Sequence, residues 1–280
     1  MAEGWLLYCR EDYEKNRWFA GELIARGSGL GLDIRLLIAG EEDILRLSPP
    51  AFAVNRTRDW RLAAALEKRG CRVFNPSETA RIGNDKFESH ALAGRLGLPQ
   101  VEYAASENKP ERLAAQPLGY PVVLKNPYGH GGNEVFLARD EAELLALAAA
   151  LPCERVLLEK LCGRPGVDVR AYVLGGEILA SVRRESAGGF RANLSLGGSA
   201  SYYDLNDAER ELVARVAAAL PMDYAGVDFI LDEAGHFLLN EIEDAVGARA
   251  LYRLGGVDVI HFLLQYVCGE LCKADNQNNR

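Results

Sequence analysis

The stretch Gly226-Val227-Asp228-Phe229-Ile230-Leu231, then Asp232-Glu233-Ala234-Gly235, then His236 to Asp244, decides how this chain is read. Two apolar runs flank a turn, and acidic residues sit inside those runs. Side chains alternate faces along a strand, so Glu241 and Glu243 share one face of the second run. If Asp232 to Gly235 closes a hairpin in simple register, Asp228 comes to that same face. Three carboxylates then converge on a sheet, where uncompensated charge is costly. Hard cations such as magnesium relieve that cost, because they take oxygen ligands and often hold substrate phosphates as well. The pattern points to a metal–nucleotide site.

Upstream, Val167 to Glu185 reads as a second hairpin around Gly175-Gly176, the strongest short turn signal in the chain. In two-residue-turn register Asp168 falls opposite Arg183 and Arg170 opposite Ser181, on one face. Val167, Val169, Ala171 and Val173 take the other. A solvated face with a cross-strand ion pair gives the same pattern. Phe190-Arg191-Ala192-Asn193 and the pair Gly197-Gly198 follow. Arg191 and Asn193, two apart in an extended segment, face one way, as phosphate- and metal-bridging groups do.

Further upstream, Gly129-His130-Gly131-Gly132-Asn133 lies between two strands, Tyr120 to Lys125 and Val135 to Ala138. Glycines let backbone amides approach an anion closely; a plain hairpin loop has the same composition. His130 adds a proton or a hydrogen bond there. Lys125 ends an apolar run, where it either snorkels to solvent or presents its ammonium to a phosphate. Lys86 stands in the first turn of a helix from Asp85 to Leu96, poorly placed against the dipole, which favours a ligand-directed role.

The first eighty residues alternate strand and helix: Trp5 to Cys9, Asp12 to Arg26, Asp33 to Ala39, Ala51 to Asn55, Arg58 to Arg69 and Cys71 to Phe74. Strands separated by helices imply a parallel sheet with crossovers. No GxGxxG follows the first strand, so dinucleotide binding is unsupported. Helices are expected at Asp140 to Ala150, Asn206 to Leu220 and Val257 to Cys272, and the tail from Lys273 to Arg280 is polar and expected to be disordered.

At 280 residues, 49% apolar and 26% charged, the chain has the composition of a globular protein of two or more lobes. Its net charge of −8 argues against a nucleic-acid surface, though not against a local cationic pocket. No apolar stretch reaches the length of a membrane span and no signal peptide is evident, so no membrane association and a cytoplasmic location are the expectation. Cys9, Cys71, Cys153, Cys162, Cys268 and Cys272 show no CxxC spacing. Free thiols account for them better than a metal pair at Cys268 and Cys272.

The order of these signals is more specific than any one of them. Lys86, Lys125 with its glycine loop, Glu159, Asp168-Val169-Arg170, Phe190-Arg191-Ala192-Asn193, Gly226-Val227-Asp228 and Glu241-Ile242-Glu243 together resemble the ATP-grasp enzymes. The RimK-like ATP-dependent carboxylate–amine ligases are the branch they resemble most. The resemblance covers roughly Asn84 to Val259. It implies a mixed α/β (α+β) ATP-grasp fold behind an N-terminal Rossmann-like domain: residues 1–83 for that domain, 84–156 for a small lobe, 157–272 for a large lobe.

By the same resemblance Lys86 and Lys125 contact the nucleotide phosphates, with Gly129, His130, Gly131 and Gly132 in the mobile loop over them. Glu159, Lys160 and Leu161, in the segment ending at Asp168, hold adenine and ribose. Arg183, Arg191 and Asn193 are the catalytic set near the γ-phosphate. Asp228, Glu241 and Glu243 bind two magnesium ions, with manganese as the alternative. The implied reaction joins a small-molecule or peptide carboxylate to an amine through an acyl phosphate. An ATP-binding module without catalysis and a small-molecule kinase on the same fold are the competing readings, and homo-oligomerisation is left open. One departure stands out. The family pattern ends in glutamate, one residue, asparagine and a proline turn, whereas here Glu243 is followed by Asp244-Ala245-Val246-Gly247-Ala248-Arg249. The acceptor substrate therefore does not carry over.

Overall fold

A computed structural model of the chain describes residues 1–192 and 197–278. The described residues form three sheets. The first is parallel, in the order β2-β1-β3-β4, from β1 (Ala2–Cys9), β2 (Leu32–Ala39), β3 (Phe52–Asn55) and β4 (Arg72–Phe74). Helix α1 (Arg10–Ser28) connects β1 to β2, and α2 (Trp60–Glu67) connects β3 to β4. The apolar runs are buried on both faces, as a sheet with crossover helices requires. Leu6 and Tyr8 join the cluster containing Phe19 and Leu23 of α1, while Trp5 and Leu7 join Leu62 and Leu66 of α2. Helix α3 (Ser77–Gly83) follows; it is short and starts after Pro76, and the apolar periodicity does not reveal it.

Helix α4 (Lys86–Arg95) begins after Asp85, whose side chain accepts from the Phe87 amide. The next sheet has the order β5-β8-β6-β7, from β5 (Tyr103–Glu107), β6 (Val122–Lys125), β7 (Val135–Ala138) and β8 (Arg155–Lys160). Helices α5 (Pro110–Ala114) and α6 (Glu141–Ala149) cover one face. Val122, Leu124, Val156 and Leu158 turn toward them. By alternation Val123, Lys125, Leu157 and Glu159 turn the other way.

The third sheet is antiparallel, in the order β11-β10-β9-β12-β13. Its strands are β9 (Val167–Leu174), β10 (Glu177–Glu185), β11 (Ser199–Tyr202), β12 (Tyr224–Leu231) and β13 (Phe237–Glu243). Val169, Ala171, Val227, Phe229 and Leu239 pack with Val213 and Val216 of α7 (Asp207–Ala219) and Leu92 of α4. Asn206 and Glu209 form the capping box that starts α7.

Two bulges set the register of the opposite face. Between β9 and β10, Val173 pairs with Ile178 but Tyr172 with Ala180, which leaves Leu179 extra. Every later pairing moves by one, so Asp168 lies opposite Arg184 and Arg170 opposite Val182. The simple register expected from the Gly175-Gly176 turn is thereby corrected. The turn itself forms, with φ of 60° and 85° at its two glycines. Between β12 and β13 the loop is one residue longer than expected, with Leu231 paired to Phe237, and a bulge at Asn240 adds a second residue. A shift of two keeps the face, so Asp228 lies opposite Glu241 and Gly226 opposite Glu243, with the three acids on one side.

Helix α8 (Arg249–Leu254) leads to α9 (Val259–Asn278), which packs against α1. Helix α9 continues through Lys273–Asn278, where the sequence predicts a disordered tail. Among the described residues no helix is long and apolar enough to cross a membrane.

Candidate active site

The small sheet brings Lys125 and Glu159 to one buried face, because Val123 pairs with Glu159 and Lys125 with Leu157. Lys125 Nζ lies 2.6 Å from Glu159 Oε2 and donates to Asn240 Oδ1 at 2.8 Å. Glu159 Oε1 meets His90 Nε2 at 3.1 Å. Burial opposes the Glu159 charge, but the Lys125 ammonium and His90 outweigh it and bring the carboxyl down to about 2. Lys125 is thus fixed by a carboxylate behind it, with the bulged Asn240 opposite. Its ammonium cannot snorkel away.

Lys86 reaches over the glycine loop from the start of α4. Its Nζ donates to the Gly129 carbonyl at 2.6 Å and lies 3.3 Å from Glu241 Oε2. Gly131 and Gly132 adopt φ of 67° and 76°, a region that other residues rarely enter. Arg191, in the segment after β10, donates to the Gly132 carbonyl at 2.7 Å, closing the loop from the far side. His130 is pushed down to about 4, first by burial and then by Arg58 and Lys86, so its ring is neutral at pH 7.

Beneath these groups lies a buried charge lattice. Arg170 grips Asp228 with two donors, Nε to Oδ1 at 2.7 Å and Nη2 to Oδ2 at 2.6 Å. Arg184 holds Asp168 at 2.5 and 2.8 Å and also donates to Asp228 at 2.8 Å. Gly226 permits this packing, since a Cβ there would stand 2.8 Å from Val246 and 3.4 Å from Arg170. Burial works against the Asp228 charge, but the two guanidinium groups hold its carboxyl at about 2. Arg170 also pairs with Glu243.

One cleft gathers most of the residues singled out in the sequence. Lys86, Lys125, Gly129, Gly131, Gly132, Glu159, Lys160, Leu161, Asp168, Arg191 and Glu241 all line it. Asn193 lies outside the described residues. Arg183 is not brought to the cleft: the bulge at Leu179 turns it to the other face, where it is 40% exposed and pairs with Glu185. Arg184 takes its place in the wall. Asn240 stands in no recognisable motif, and the helical pattern around His90 reads as that of an ordinary packed histidine, yet both side chains reach the Lys125–Glu159 pair.

Asp228, Glu241 and Glu243 share one face, but among the described residues no three acidic, histidine or cysteine side chains are gathered closely enough to hold a metal ion. Two arginines occupy Asp228. Glu241 keeps 29% of its side chain exposed and has one ammonium near it. Glu243 Oε2 sits against Arg170 without a hydrogen bond of good geometry. Hard oxygen donors with unused capacity suit magnesium, which takes one or two protein carboxylates and completes its shell with phosphate and water. Glu241 and Glu243 fit that role; Asp228 has little capacity left for it.

A family model described as the RimK-like ATP-grasp domain matches residues 83–267. Human N-acetylaspartylglutamate synthase A is 31% identical over 249 residues, which are 86% of this chain and 63% of that protein. Beta-citrylglutamate synthase B of Danio rerio is 35% identical over 225 residues, 78% of this chain and 56% of that one. The chain therefore spans somewhat over half the length of these two relatives. Among solved structures, D-alanine–D-alanine ligase from Bacillus anthracis, complexed with ATP, superposes with a TM-score of 0.75 at 16% identity, covering 99% of this chain and 100% of that one; the likeness is one of fold. The fold and the cleft define an ATP-grasp protein of mixed α/β architecture, and the chain belongs to the RimK-like ATP-grasp family.

Proposed function

We propose that this chain is an ATP-dependent ligase that activates a carboxylate as an acyl phosphate and joins it to an amine, on an amino acid or small peptide. The observation that carries the reading is a single cleft in which Lys86, Lys125, a glycine loop and Glu241 converge. In this reading residues 1–83 form the Rossmann-like domain, 84–156 the small lobe and 157–272 the large lobe. The triphosphate lies under Gly129 to Gly132, where backbone amides and the two ammonium groups meet its charge. Adenine and ribose lie along Glu159 to Leu161, with Asp168 at the end of that segment.

A substrate carboxylate oxygen attacks the γ-phosphorus, and the bond to the β-bridging oxygen breaks to release ADP. The amine nitrogen then attacks the acyl carbon. Inorganic phosphate leaves, the nitrogen loses a proton, and an amide remains. The first step is phosphoryl transfer, where positioning and charge neutralisation do nearly all of the work. Lys125, pinned by Glu159, and Arg191, anchored on Gly132, supply fixed positive charge. Arg184 supports them from beneath by holding Asp168 and Asp228 in register. Glu241 and Glu243 would hold magnesium, which would supply further charge neutralisation at the γ-phosphoryl group.

ADP and phosphate release across mixtures of amino acids and di- or tricarboxylates tests the proposal, with mass analysis of the product. A ligase yields ADP, free phosphate and an amide, all lost in Glu241→Ala. ATP binding without turnover on any pair identifies a binding module. Phosphate retained on the product identifies a kinase.

A further inference from the structure

Strand β13 sends two consecutive side chains into the cleft, which a regular strand cannot do. Leu239 and Ile242 are 2% and 1% exposed and pack in the core with Val213 and Val216 of α7. Between them stand Asn240 and Glu241, and both line the cleft. The bulge is the reason. Leu239 pairs with Phe229 and Glu241 with Asp228, so Asn240 is the extra residue, re-aimed to the face that Glu241 already takes. The chain thus sets a neutral amide beside its least encumbered carboxylate.

Chemistry fixes which way that amide points. Asn240 Oδ1 lies 2.8 Å from Lys125 Nζ. An ammonium only donates, so the carbonyl oxygen and not the NH2 group must face it. The NH2 group turns away from Lys125, and the bond to Lys125 is the one hydrogen bond of this side chain among the described residues. Lys125 has three N–H bonds. One meets Asn240 and another meets Glu159 Oε2 at 2.6 Å, while Glu159 Oε1 is held by His90. The third has no partner among the described residues. Two uncommitted donors therefore stand side by side in the cleft wall, one from β6 and one from β13, which belong to different sheets.

We propose that Asn240 is a catalytic residue of the ligase described above, an inference that rests on that reading. Its Nδ2 donates to an oxygen of the γ-phosphoryl group, and its Oδ1 keeps Lys125 turned toward the same group. The γ position follows from the adjoining Glu241, which would hold magnesium there. An amide suits the place because it adds a donor without adding a charge to compete with a cation. Phosphoryl transfer depends on donors fixed in this way before the reaction begins.

Calorimetric titration of the chain with ADP and with a non-hydrolysable ATP analogue, both with magnesium, tests the assignment. The ratio of the two affinities isolates the γ-phosphoryl group. The unaltered chain is expected to prefer the analogue. Asn240→Leu should reduce that preference about tenfold or more, the loss of one hydrogen bond to a charged group, with ADP affinity held within about twofold. Asn240→Asp is equal in size and still accepts from Lys125, but it faces the phosphoryl oxygens with a carboxylate and should reduce the preference at least as far. In ADP-release assays on amino acids mixed with di- or tricarboxylates, both variants should lose about tenfold or more in kcat. Equal loss of affinity for both nucleotides overturns the assignment. So does a preference left unchanged, or one raised by Asn240→Leu, which would mark the amide as a competitor for Lys125. An unaltered chain that shows no preference, or binds neither nucleotide, overturns it as well. If Asn240→Leu fails to fold, the isosteric aspartate variant decides. The ligase reading fails separately, when the unaltered chain binds the analogue yet releases no ADP on any mixture; the affinity ratio then still decides what Asn240 touches.

Discussion

Arg184 donates to Asp228 at 2.8 Å through the same Nη2 that donates to Asp168 at 2.8 Å, so one guanidinium ties two strands together under the cleft. Removing it leaves two buried carboxylates short of a partner. Arg184→Ala is expected to cost about 3–5 kcal/mol, the range for breaking a buried ionic network by deleting one member. Arg183→Ala, one residue away and half-exposed, is expected to cost no more than about 1 kcal/mol. Urea unfolding of the two variants measures the difference. Equal costs would show that the register of β10 has been misassigned.

That contrast also marks how far the sequence could be read. Alternation along the strands and the two glycines at 175 and 176 reveal the hairpin, and the lysines, glycine loop and Glu241 singled out in the sequence line one cleft. The bulge at Leu179 is invisible, since a leucine in an apolar run carries no bulge signal and a one-residue slip exchanges the two faces. Alternation also puts Asp228, Glu241 and Glu243 on one face, through a loop one residue shorter than the real one; the bulge at Asn240 adds a second residue, and a shift of two leaves the face unchanged. Strand β5 escaped notice because it is an edge strand of mixed polarity, and α8 because it is barely two turns long. The grip of Arg170 and Arg184 on Asp228 depends on pairings between β9, β10 and β12 that are far apart in sequence.

Glu159 sets a pH dependence. Its carboxyl falls from an ordinary value of 4.5 to about 2 in the folded chain, held down by Lys125 and His90 against the cost of burial. Because the folded value is the lower one, the unfolded chain binds the proton first as pH falls. The associated stability is complete above about pH 4.5, declines below it and is gone near pH 2; the shift corresponds to about 3 kcal/mol. Acid titration of unfolding should show this loss in the native chain and a much flatter profile in Glu159→Gln. A profile unchanged by the substitution would refute the role of Glu159 as a charged anchor for Lys125.

The three acids should separate by function. Asp228 is spent on two arginines, so Asp228→Asn is expected to lower stability first and foremost. Glu241→Gln removes the least encumbered oxygen donor in the cleft. Turnover should fall on the order of 100-fold, with a raised magnesium requirement and stability little changed. Glu243→Asn keeps an oxygen donor beside Arg170 and should leave activity measurable, with a shifted magnesium titration. Activity titrated against magnesium, beside thermal unfolding, sorts the set. If Glu243→Asn and Glu243→Ala both leave the magnesium dependence untouched, Glu243 is no ligand.

Asn75, just past β4, joins the parallel sheet to the antiparallel one. Its Oδ1 accepts from the amides of Asp223 at 2.7 Å and Tyr224 at 2.8 Å. Its Nδ2 donates to the Tyr224 carbonyl and to Asp244 Oδ1, both at 2.7 Å. The side chain is 5% exposed, so water cannot replace these partners. Each buried group left unpaired costs about 1–3 kcal/mol, and Asn75→Ala should therefore lose about 3 kcal/mol or more. Asn75→Asp keeps the acceptor but turns the donor into a carboxylate facing Asp244. Asp244 already rises above the ordinary carboxyl value through burial, with only Asn75, Asn84 and neighbouring arginines opposing that. The aspartate variant is expected to be the less stable of the two at pH 7, and to recover relative to alanine as the pH is lowered and the pair takes up a proton. Because Asp244 adjoins Glu243, both variants should also raise the magnesium requirement. Parallel thermal scans at pH 5 and pH 7 decide the point, and an aspartate variant more stable than alanine at pH 7 would contradict the assigned hydrogen bonds.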